Sequence, residues 1–277
     1  MKFGVALSRL HPAFHLEATL EAERLGFESV WMADHLVFPL GASGSPHPGA
    51  EAPPVPPSTP VFDAFGWLCF LAGQTSRIRL GTNVYLLALR HPFAAARAVQ
   101  TLDVVSQGRA EVGVGAGWLR EEWTAAGLDP RTRGRRLDEA LEVCTRLWTE
   151  ATIEHHGEFY DFAPVMFEPK PVQTPRPRIH VGGESEAALR RAVRYEGWFG
   201  LVHSPASAAE RVASLRSARA AAGRAGEPFE VTLSAGPGVE EQVEDFARAG
   251  VDRLVVAPWR RSRECSESLQ AFAARFL

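Results

Sequence analysis

The sequence has few of the features that would indicate a secreted, membrane-bound or nucleic-acid-binding protein. It has only three cysteines, Cys69, Cys144 and Cys265, and they lie far apart, so we expect no disulfide framework and a reducing compartment. It has no apolar run long enough for a signal segment or a membrane span. Its net charge of −3 gives no basic excess to favour nucleic acid or an anionic membrane. These absences predict a cytoplasmic protein that acts on a small molecule.

The sequence also lacks the patterns that usually mark metal sites and covalent nucleophiles. His11 and His15 are four residues apart but lack the glutamate of the HExxH motif. His155 and His156 are adjacent, so their side chains are expected to point apart. No GxSxG motif or cysteine–histidine signature is present. We therefore predict no metal and no covalent nucleophile.

What the sequence does contain is an alternation of short apolar runs and amphipathic stretches. Residues 78–118 illustrate it with a strand, a helix that begins at His91-Pro92 and ends at Gly108, and a second strand. Strands joined through a helix are parallel, and parallel sheets are covered by helices. A single α/β barrel takes about 250 residues, so we predict one TIM-barrel domain over residues 1–277. Its strands are expected near residues 3–7, 29–32, 78–81, 110–114, 178–181, 198–202, 230–234 and 253–257.

Three stretches depart from this alternation. Residues 39–60 are dominated by proline, glycine and serine, so we predict a long lid loop over the site. Residues 150–177 contain repeated prolines and lack helical periodicity, which predicts an irregular insertion before the fifth barrel strand. Residues 61–75 are apolar nearly all round a helix. Because a barrel helix buries one face, we expect the other to meet a second copy in a homodimer.

Ligands of α/β barrels lie at the carboxyl ends of the strands, where this sequence places several unusual residues. Asp34-His35 follow the second strand, and a histidine there can transfer protons near neutral pH, although a hydrogen-bonded structural pair is the alternative. Residues 113–117 are rich in glycine without matching GxGxxG, so backbone approaches something closely. Gly182-Gly183 end a strand before a helix, which suits phosphate binding or a plain tight turn.

Taken together, these segments resemble the luciferase-like monooxygenase superfamily, in particular its branch that uses the deazaflavin coenzyme F420. The resemblance covers essentially the whole chain. The motifs that carry it are Gly26-Phe27-Glu28-Ser29-Val30-Trp31 before Asp34-His35, Ile78-Arg79-Leu80-Gly81-Thr82 with Arg90-His91-Pro92, Gly108-Arg109 before Gly113-Val114-Gly115-Ala116-Gly117-Trp118, His156-Gly157-Glu158-Phe159-Tyr160, and Pro169-Lys170-Pro171-Val172-Gln173 followed by Gly182-Gly183.

The resemblance implies where the coenzyme would lie in such a barrel. Its ring would lie at the carboxyl ends of the strands, near a bulge at Asn83-Val84 that in relatives contains a non-prolyl cis peptide, and its phosphate would lie at Gly182-Gly183-Glu184. His35 would be the catalytic residue, and Trp118 and Phe38 would line the substrate pocket. The cofactor-binding residues so implied are Asp34, His35, Thr82, Asn83, Val84, Gly115, Ala116, Gly117, Gly182, Gly183 and Glu184.

Departures from the family patterns narrow the expected activity. Relatives that use FMN carry an arginine for its phosphate where this chain has Ala116, so FMN is the second choice of coenzyme. Sugar-phosphate dehydrogenases of the deazaflavin branch carry an acid at Trp118 and a tryptophan at Pro39. The resemblance therefore predicts hydride transfer between F420 and a small organic substrate. The alternatives are an FMN-dependent monooxygenase, a non-catalytic flavin-binding barrel and a metal-dependent barrel hydrolase.

Overall fold

The computed structural model describes residues 1–47, 52–236 and 238–277, and its centre is a closed barrel of parallel strands. The barrel strands overlap all eight predicted ones, which confirms the predicted α/β barrel. Strand β1 pairs with both β2 and β10, which closes the ring. The strands are β1 Lys2–Ala6, β2 Ser29–Met32, β3 Arg79–Thr82, β4 Ala110–Val114, β7 Arg178–Gly182, β8 Gly197–Gly200, β9 Glu230–Ser234 and β10 Arg253–Val256, with β5 Ile153–His156 and β6 Asp161–Val165 outside the barrel.

Helices connect the strands and cover the barrel. The predicted helix over residues 61–75 is shorter, because the Asp63 carboxylate caps it by accepting the Gly66 N–H at 2.7 Å and the helix ends before Gly73. Among the described residues, no helix combines the length and apolarity that a membrane crossing requires. The helices are α1 His15–Leu25, α2 Ala64–Ala72, α3 Pro92–Val105, α4 Arg120–Ala125, α5 Arg133–Thr149, α6 Glu186–Ala192, α7 Pro205–Ala221, α8 Val243–Arg248 and α9 Cys265–Phe276.

The insertion before the fifth barrel strand is not wholly irregular, and that part of the prediction is wrong. Strands β5 and β6 form an antiparallel hairpin, and its turn is closed by a hydrogen bond from the Gly157 N–H to the Tyr160 carbonyl. Along β5, buried Ile153 and His155 alternate with exposed residues. This period of two lasts only four residues, which is too short to separate a strand from a loop by pattern alone.

The carboxyl half of the barrel interior contains the large side chains of Trp31 and Phe199. Trp31 is fully buried, and its ring centroid lies 5.1 Å from that of Phe199. Glycine is required opposite this indole, because a Cβ on Gly4 would lie 2.7 Å from its nitrogen and one on Gly81 would lie 2.5 Å from its ring. Outside the barrel wall, apolar strand residues are buried beneath the helices, each contributing about 1.5–3 kcal/mol.

The amino-terminal half of the interior holds charged side chains instead. Arg253 is fully buried and donates to both carboxylate oxygens of Glu28 at 2.8 Å. Glu111 is also fully buried, and it accepts from His180 Nε2 at 2.6 Å and from Arg79. Burial alone would raise the pKa of the Glu111 carboxyl, but the hydrogen bond and charge of His180, together with the two arginines, lower it well below its usual range.

Candidate active site

A bulge after β3 lies at the centre of the barrel's carboxyl end. The peptide bond between Asn83 and Val84 is cis, as the resemblance implied. The Val84 side chain packs against two strand ends, because a Cβ on Gly115 would lie 2.4 Å from it and one on Gly182 would lie 2.6 Å from it. The close approach expected from these glycines is thus made within the chain, by the bulge. The buried Thr82 hydroxyl donates to the Gly113 carbonyl at 2.8 Å, which uses its hydrogen.

The bulge contains a buried polar atom without a partner among the described residues. The Asn83 side-chain oxygen is buried and forms no hydrogen bond with any residue that the structure describes. Leaving such an acceptor unsatisfied costs about 1–3 kcal/mol. A buried unpaired acceptor at the carboxyl end of a barrel therefore suits a ligand that donates a hydrogen bond.

Asp34 lies beside the bulge, but its carboxylate is occupied by the protein. It is 2% exposed and forms a two-point ion pair with Arg90, with nitrogen–oxygen distances of 2.7 and 2.8 Å. It also accepts the Leu86 N–H at 2.9 Å. Asp34 therefore holds the segment that follows the bulge. The sequence pattern placed Asp34 at the site but did not reveal Arg90 as its partner.

His35 is held by a carboxylate that sequence reasoning did not single out. Its Nδ1 lies 2.9 Å from a carboxylate oxygen of Glu122, which is fully buried on α4. The other oxygen of Glu122 accepts the Leu36 N–H at 2.6 Å. Because a carboxylate is an acceptor only, Nδ1 carries the proton, which leaves Nε2 of a neutral ring with a free lone pair. The hydrogen-bond pattern assigns no partner to Nε2 in the described parts of the chain.

The predicted substrate-pocket residues surround this histidine. The ring centroid of Phe38 lies 4.4 Å from that of His35, and the Trp118 centroid lies 6.0 Å away at a nearly perpendicular angle. Both aromatic residues also line a cavity of about 350 Å³, whose other walls come from the proline-rich loop and Leu119. Residues 48–51 of the predicted lid lie outside the described residues. The remaining cavity residues are Pro39, Gly41, Ala42, Pro53, Pro54, Val55, Pro56 and Pro57.

The loop is attached to the same helix that holds His35. The backbone N–H of Ser43 lies 3.2 Å from a carboxylate oxygen of Glu121, and its hydroxyl donates to that oxygen at 2.9 Å. Glu121 and Glu122 are adjacent in the first turn of α4. Helix α4 therefore positions both the catalytic candidate and the start of the loop. A pair of acids on a short helix after the fourth strand is the one sequence signal that could have indicated this.

The predicted phosphate segment makes the turn between β7 and α6. Gly183 has a φ of 114°, a backbone conformation that favours glycine. The carboxylate of Glu184 accepts the Leu201 N–H at 2.8 Å and lies 3.2 Å from His203 Nε2. Burial raises the pKa of the Glu184 carboxyl, but the hydrogen bonds from His203 and Leu201 outweigh it and lower that pKa. Glu184 thus ties together the loops after β7 and β8.

The glycine-rich turn after β4 carries no charge of its own. Its Ala116 carbonyl accepts from Trp123 Nε1 at 3.1 Å, and Gly117 adopts a positive φ of 76°. The methyl group of Ala116 is half-buried against the core. In FMN-using relatives the resemblance places an arginine for the FMN phosphate at this position. This chain instead offers backbone groups and the small apolar side chain of Ala116.

Comparison with known proteins adds relatives with different coenzymes. The chain is 31% identical over 258 residues to an uncharacterized protein of Mycobacterium tuberculosis, covering 92% of this chain and 90% of that one. It is 34% identical over 189 residues to an F420-dependent glucose-6-phosphate dehydrogenase of Kineococcus radiotolerans, covering 66% and 51%. It is 37% identical over 111 residues to an FMNH2-dependent dimethylsulfone monooxygenase of Pseudomonas putida, covering 39% and 31%.

A solved structure and a family model extend the likeness to the whole barrel. The structure of an F420-dependent secondary alcohol dehydrogenase matches with a TM-score of 0.79 at 16% identity, covering 99% of this chain and 98% of that one. At this identity the match concerns the fold. The family model of luciferase-like monooxygenases matches residues 1–273. The chain therefore belongs to the luciferase-like monooxygenase family.

Proposed function

We propose that this protein is an oxidoreductase that transfers a hydride between coenzyme F420 and a small organic substrate. The observation that carries the proposal is His35 at the carboxyl end of the barrel, with Nδ1 bound to buried Glu122 and Nε2 without a partner among the described residues. When bound, the deazaflavin would supply the hydride acceptor or donor at C5 of its ring. Two of the matched proteins are named as F420-dependent enzymes, the Kineococcus dehydrogenase and, as a match in fold, the secondary alcohol dehydrogenase.

The residues at the site fit a flavin-type ring. The pyrimidine edge of such a ring has an imide N–H, and Asn83 offers a buried side-chain oxygen without a partner among the described residues. Val84, which is half-buried and packs over Gly115 and Gly182, contributes an apolar side chain. Gly182 and Gly183 are the proposed contacts of the phosphate through their backbone. Since the carboxylate of Glu184 is engaged by Leu201 and His203, its proposed role is to support that turn.

His35 is the proposed proton-transfer residue. In the oxidative direction its free Nε2 accepts the proton of a substrate hydroxyl, and in the reductive direction the protonated ring returns it. Glu122 keeps Nδ1 protonated, holds the ring in place and favours the positive charge that His35 acquires. Phe38 and Trp118 cover the ring, and the His35 side chain is only 13% exposed, so little water competes for the proton.

The choice of coenzyme rests on Ala116. The terminal phosphate of FMN carries up to two charges, and a cationic partner would add hydrogen bonds of about 1.5–3 kcal/mol. The deazaflavin phosphate is a diester with one charge, so it needs that partner less. The second candidate is an FMN-dependent monooxygenase, which the similarity to the Pseudomonas putida enzyme favours.

The test of the proposed ring site is a titration of the purified protein with F420, followed by the absorbance and fluorescence of the coenzyme. Asn83→Ala should weaken F420 binding up to about tenfold, because the lost hydrogen bond is worth about 0.5–1.5 kcal/mol. Gln74→Ala, which removes an exposed amide, is the matched control. Saturable binding that Asn83→Ala leaves unchanged would contradict the ring site. No binding by the wild-type protein would contradict the function.

We also propose that the protein is a homodimer that associates through α2. The Trp67 ring lies between those of Phe62 and Phe70, with centroid distances of 4.8 and 4.9 Å and tilted ring planes, and Phe62 and Phe70 are 39% and 43% exposed. Such a run of exposed aromatic surface is characteristic of an interface.

Sedimentation at micromolar concentration should give a dimer, and Phe70→Glu should give a monomer. Met166→Glu is the matched control, since Met166 is 71% exposed on a different segment; a wild-type monomer contradicts the proposal.

A further inference from the structure

We propose that the substrate is an uncharged, largely apolar molecule with few hydroxyl groups, and not a phosphorylated sugar. The proposal rests on the proposed function, because it takes the cavity next to His35 as the substrate site. Phe38 and Trp118 connect the cavity to His35, since the ring of each lies next to the His35 ring and each also lines the cavity.

The charge of the cavity argues against an anionic substrate. In the described chain, the residues that line the cavity include no lysine, arginine or histidine. Arg120 follows Leu119 in the sequence but is exposed and is not a lining residue. The charged groups that hold the walls are both acids, Glu121 on Ser43 and Glu122 on His35. A phosphate in this cavity would lose water, lie near these two acids and gain no cationic lining residue among the described residues, which is unfavourable.

The hydrogen-bonding capacity of the walls argues against a polyhydroxylated substrate. Five of the lining residues are prolines, which have no backbone N–H to donate. Phe38, Val55 and Leu119 contribute apolar side chains. A sugar would leave several hydroxyl groups unpaired here, and each buried unpaired group costs free energy. An apolar ligand gives up no hydrogen bonds with water in the same place, and burial of its surface contributes favourable binding free energy.

The volume of the cavity limits the size of the ligand that it can hold. Its volume of about 350 Å³ is at the lower end of the range of about 300–1,000 Å³ that small-molecule sites span. A single ring or a short chain with one polar group fits this volume. Proline walls resist adjustment, because each proline fixes one backbone angle, so the cavity selects by shape as well as by polarity.

The test compares a neutral cyclic probe with an anionic sugar, using the purified protein with and without F420. We expect cyclohexanol to bind at least tenfold more tightly than glucose 6-phosphate in a ligand-observed NMR titration. Val55→Asp should weaken cyclohexanol binding at least tenfold, because it places a carboxylate in the wall. Val172→Asp, at an exposed valine outside the cavity, is the matched control. Val55→Ser, a milder change, should weaken binding in the same direction if the aspartate variant does not fold.

The outcomes separate this proposal from the proposed function. Glucose 6-phosphate binding as tightly as cyclohexanol, or cyclohexanol binding that neither Val55 variant weakens, overturns the substrate class. Cyclohexanol binding at the cavity by a protein that does not bind F420 upholds the substrate class and overturns the function instead.

Discussion

The two ends of the barrel interior are filled in opposite ways. At the amino-terminal end each charged group has an opposite charge within 4 Å, and the network centres on Glu111 and Arg253. At the carboxyl end the interior holds Trp31 and glycines, and the polar groups Asn83 Oδ1 and His35 Nε2 have no partner among the described residues. The charges at the amino-terminal end are thus paired within the chain, although the buried His180 Nδ1 there has no hydrogen-bond partner among the described residues. At the carboxyl end, Asn83 Oδ1 and His35 Nε2 are groups that a ligand can hydrogen-bond, and ligands of α/β barrels lie at this end, which supports the proposed site there.

The largest effect is expected at the carboxyl end from loss of the His35 imidazole. His35→Ala should lower turnover by roughly 10²–10⁴-fold, or about 2.7–5.4 kcal/mol in activation free energy, while the melting temperature changes little. Steady-state kinetics and thermal melting check this. His156→Ala, at an exposed histidine of the hairpin, is the matched control. Unchanged kinetics with a lowered melting temperature would instead assign His35 to structure.

A comparable change at the amino-terminal end should affect stability. Glu111→Gln leaves Arg79 without its buried charged partner, and breaking such a pair costs about 3–5 kcal/mol of the free energy of unfolding. Denaturant unfolding at neutral pH measures the loss. Glu154→Gln, at an exposed position, is the control. An unfolding free energy equal to that of the wild type would show that the network contributes no stability.

The same variant has a predictable pH dependence. Because the pKa of the Glu111 carboxyl is lower in the folded state, its contribution to stability is present above its unfolded pKa, about 4.3, and is lost as the pH falls toward the folded pKa. The free energy of unfolding should therefore decrease less steeply below about pH 4.3 in Glu111→Gln than in the wild type. Parallel slopes for the two proteins in acid would contradict the assignment.

A smaller effect is expected when His35 keeps its ring but loses its charged partner. Glu122→Gln should lower turnover by about 10–100-fold, because the neutral amide can bind either tautomer and does not stabilise a positive ring. Nitrogen-15 NMR should find Nδ1 protonated in the wild type and a mixture of tautomers in the variant. Glu142→Gln on the exposed face of α5 is the control. The same tautomer and turnover in both proteins would remove Glu122 from this role.

The barrel, and the strand-end positions of residues of the candidate site, could be predicted because each depends on local pattern. Apolar runs that alternate with helical stretches indicated the strands, and residues such as His35 follow a strand end. The partners Arg90 and Glu122 could not be predicted in this way, since they lie 56 and 87 residues from Asp34 and His35. Only the closed barrel brings these residues together.

Two other features could not be fully predicted from the sequence, each for a different reason. The glycines after β4 correctly indicated close approach, but spacing alone could not say that Val84 of the same chain makes it. The hairpin of the insertion was missed because four residues of alternation in β5 carry too little signal.

The measurement that tests the account most directly is a parallel titration of the purified protein with F420 and with FMN. The uncharged Ala116 predicts that F420 binds at least tenfold more tightly, a difference of about 1.4 kcal/mol. Equal affinities, or tighter binding of FMN, would contradict the proposed F420 dependence and favour the flavin monooxygenase.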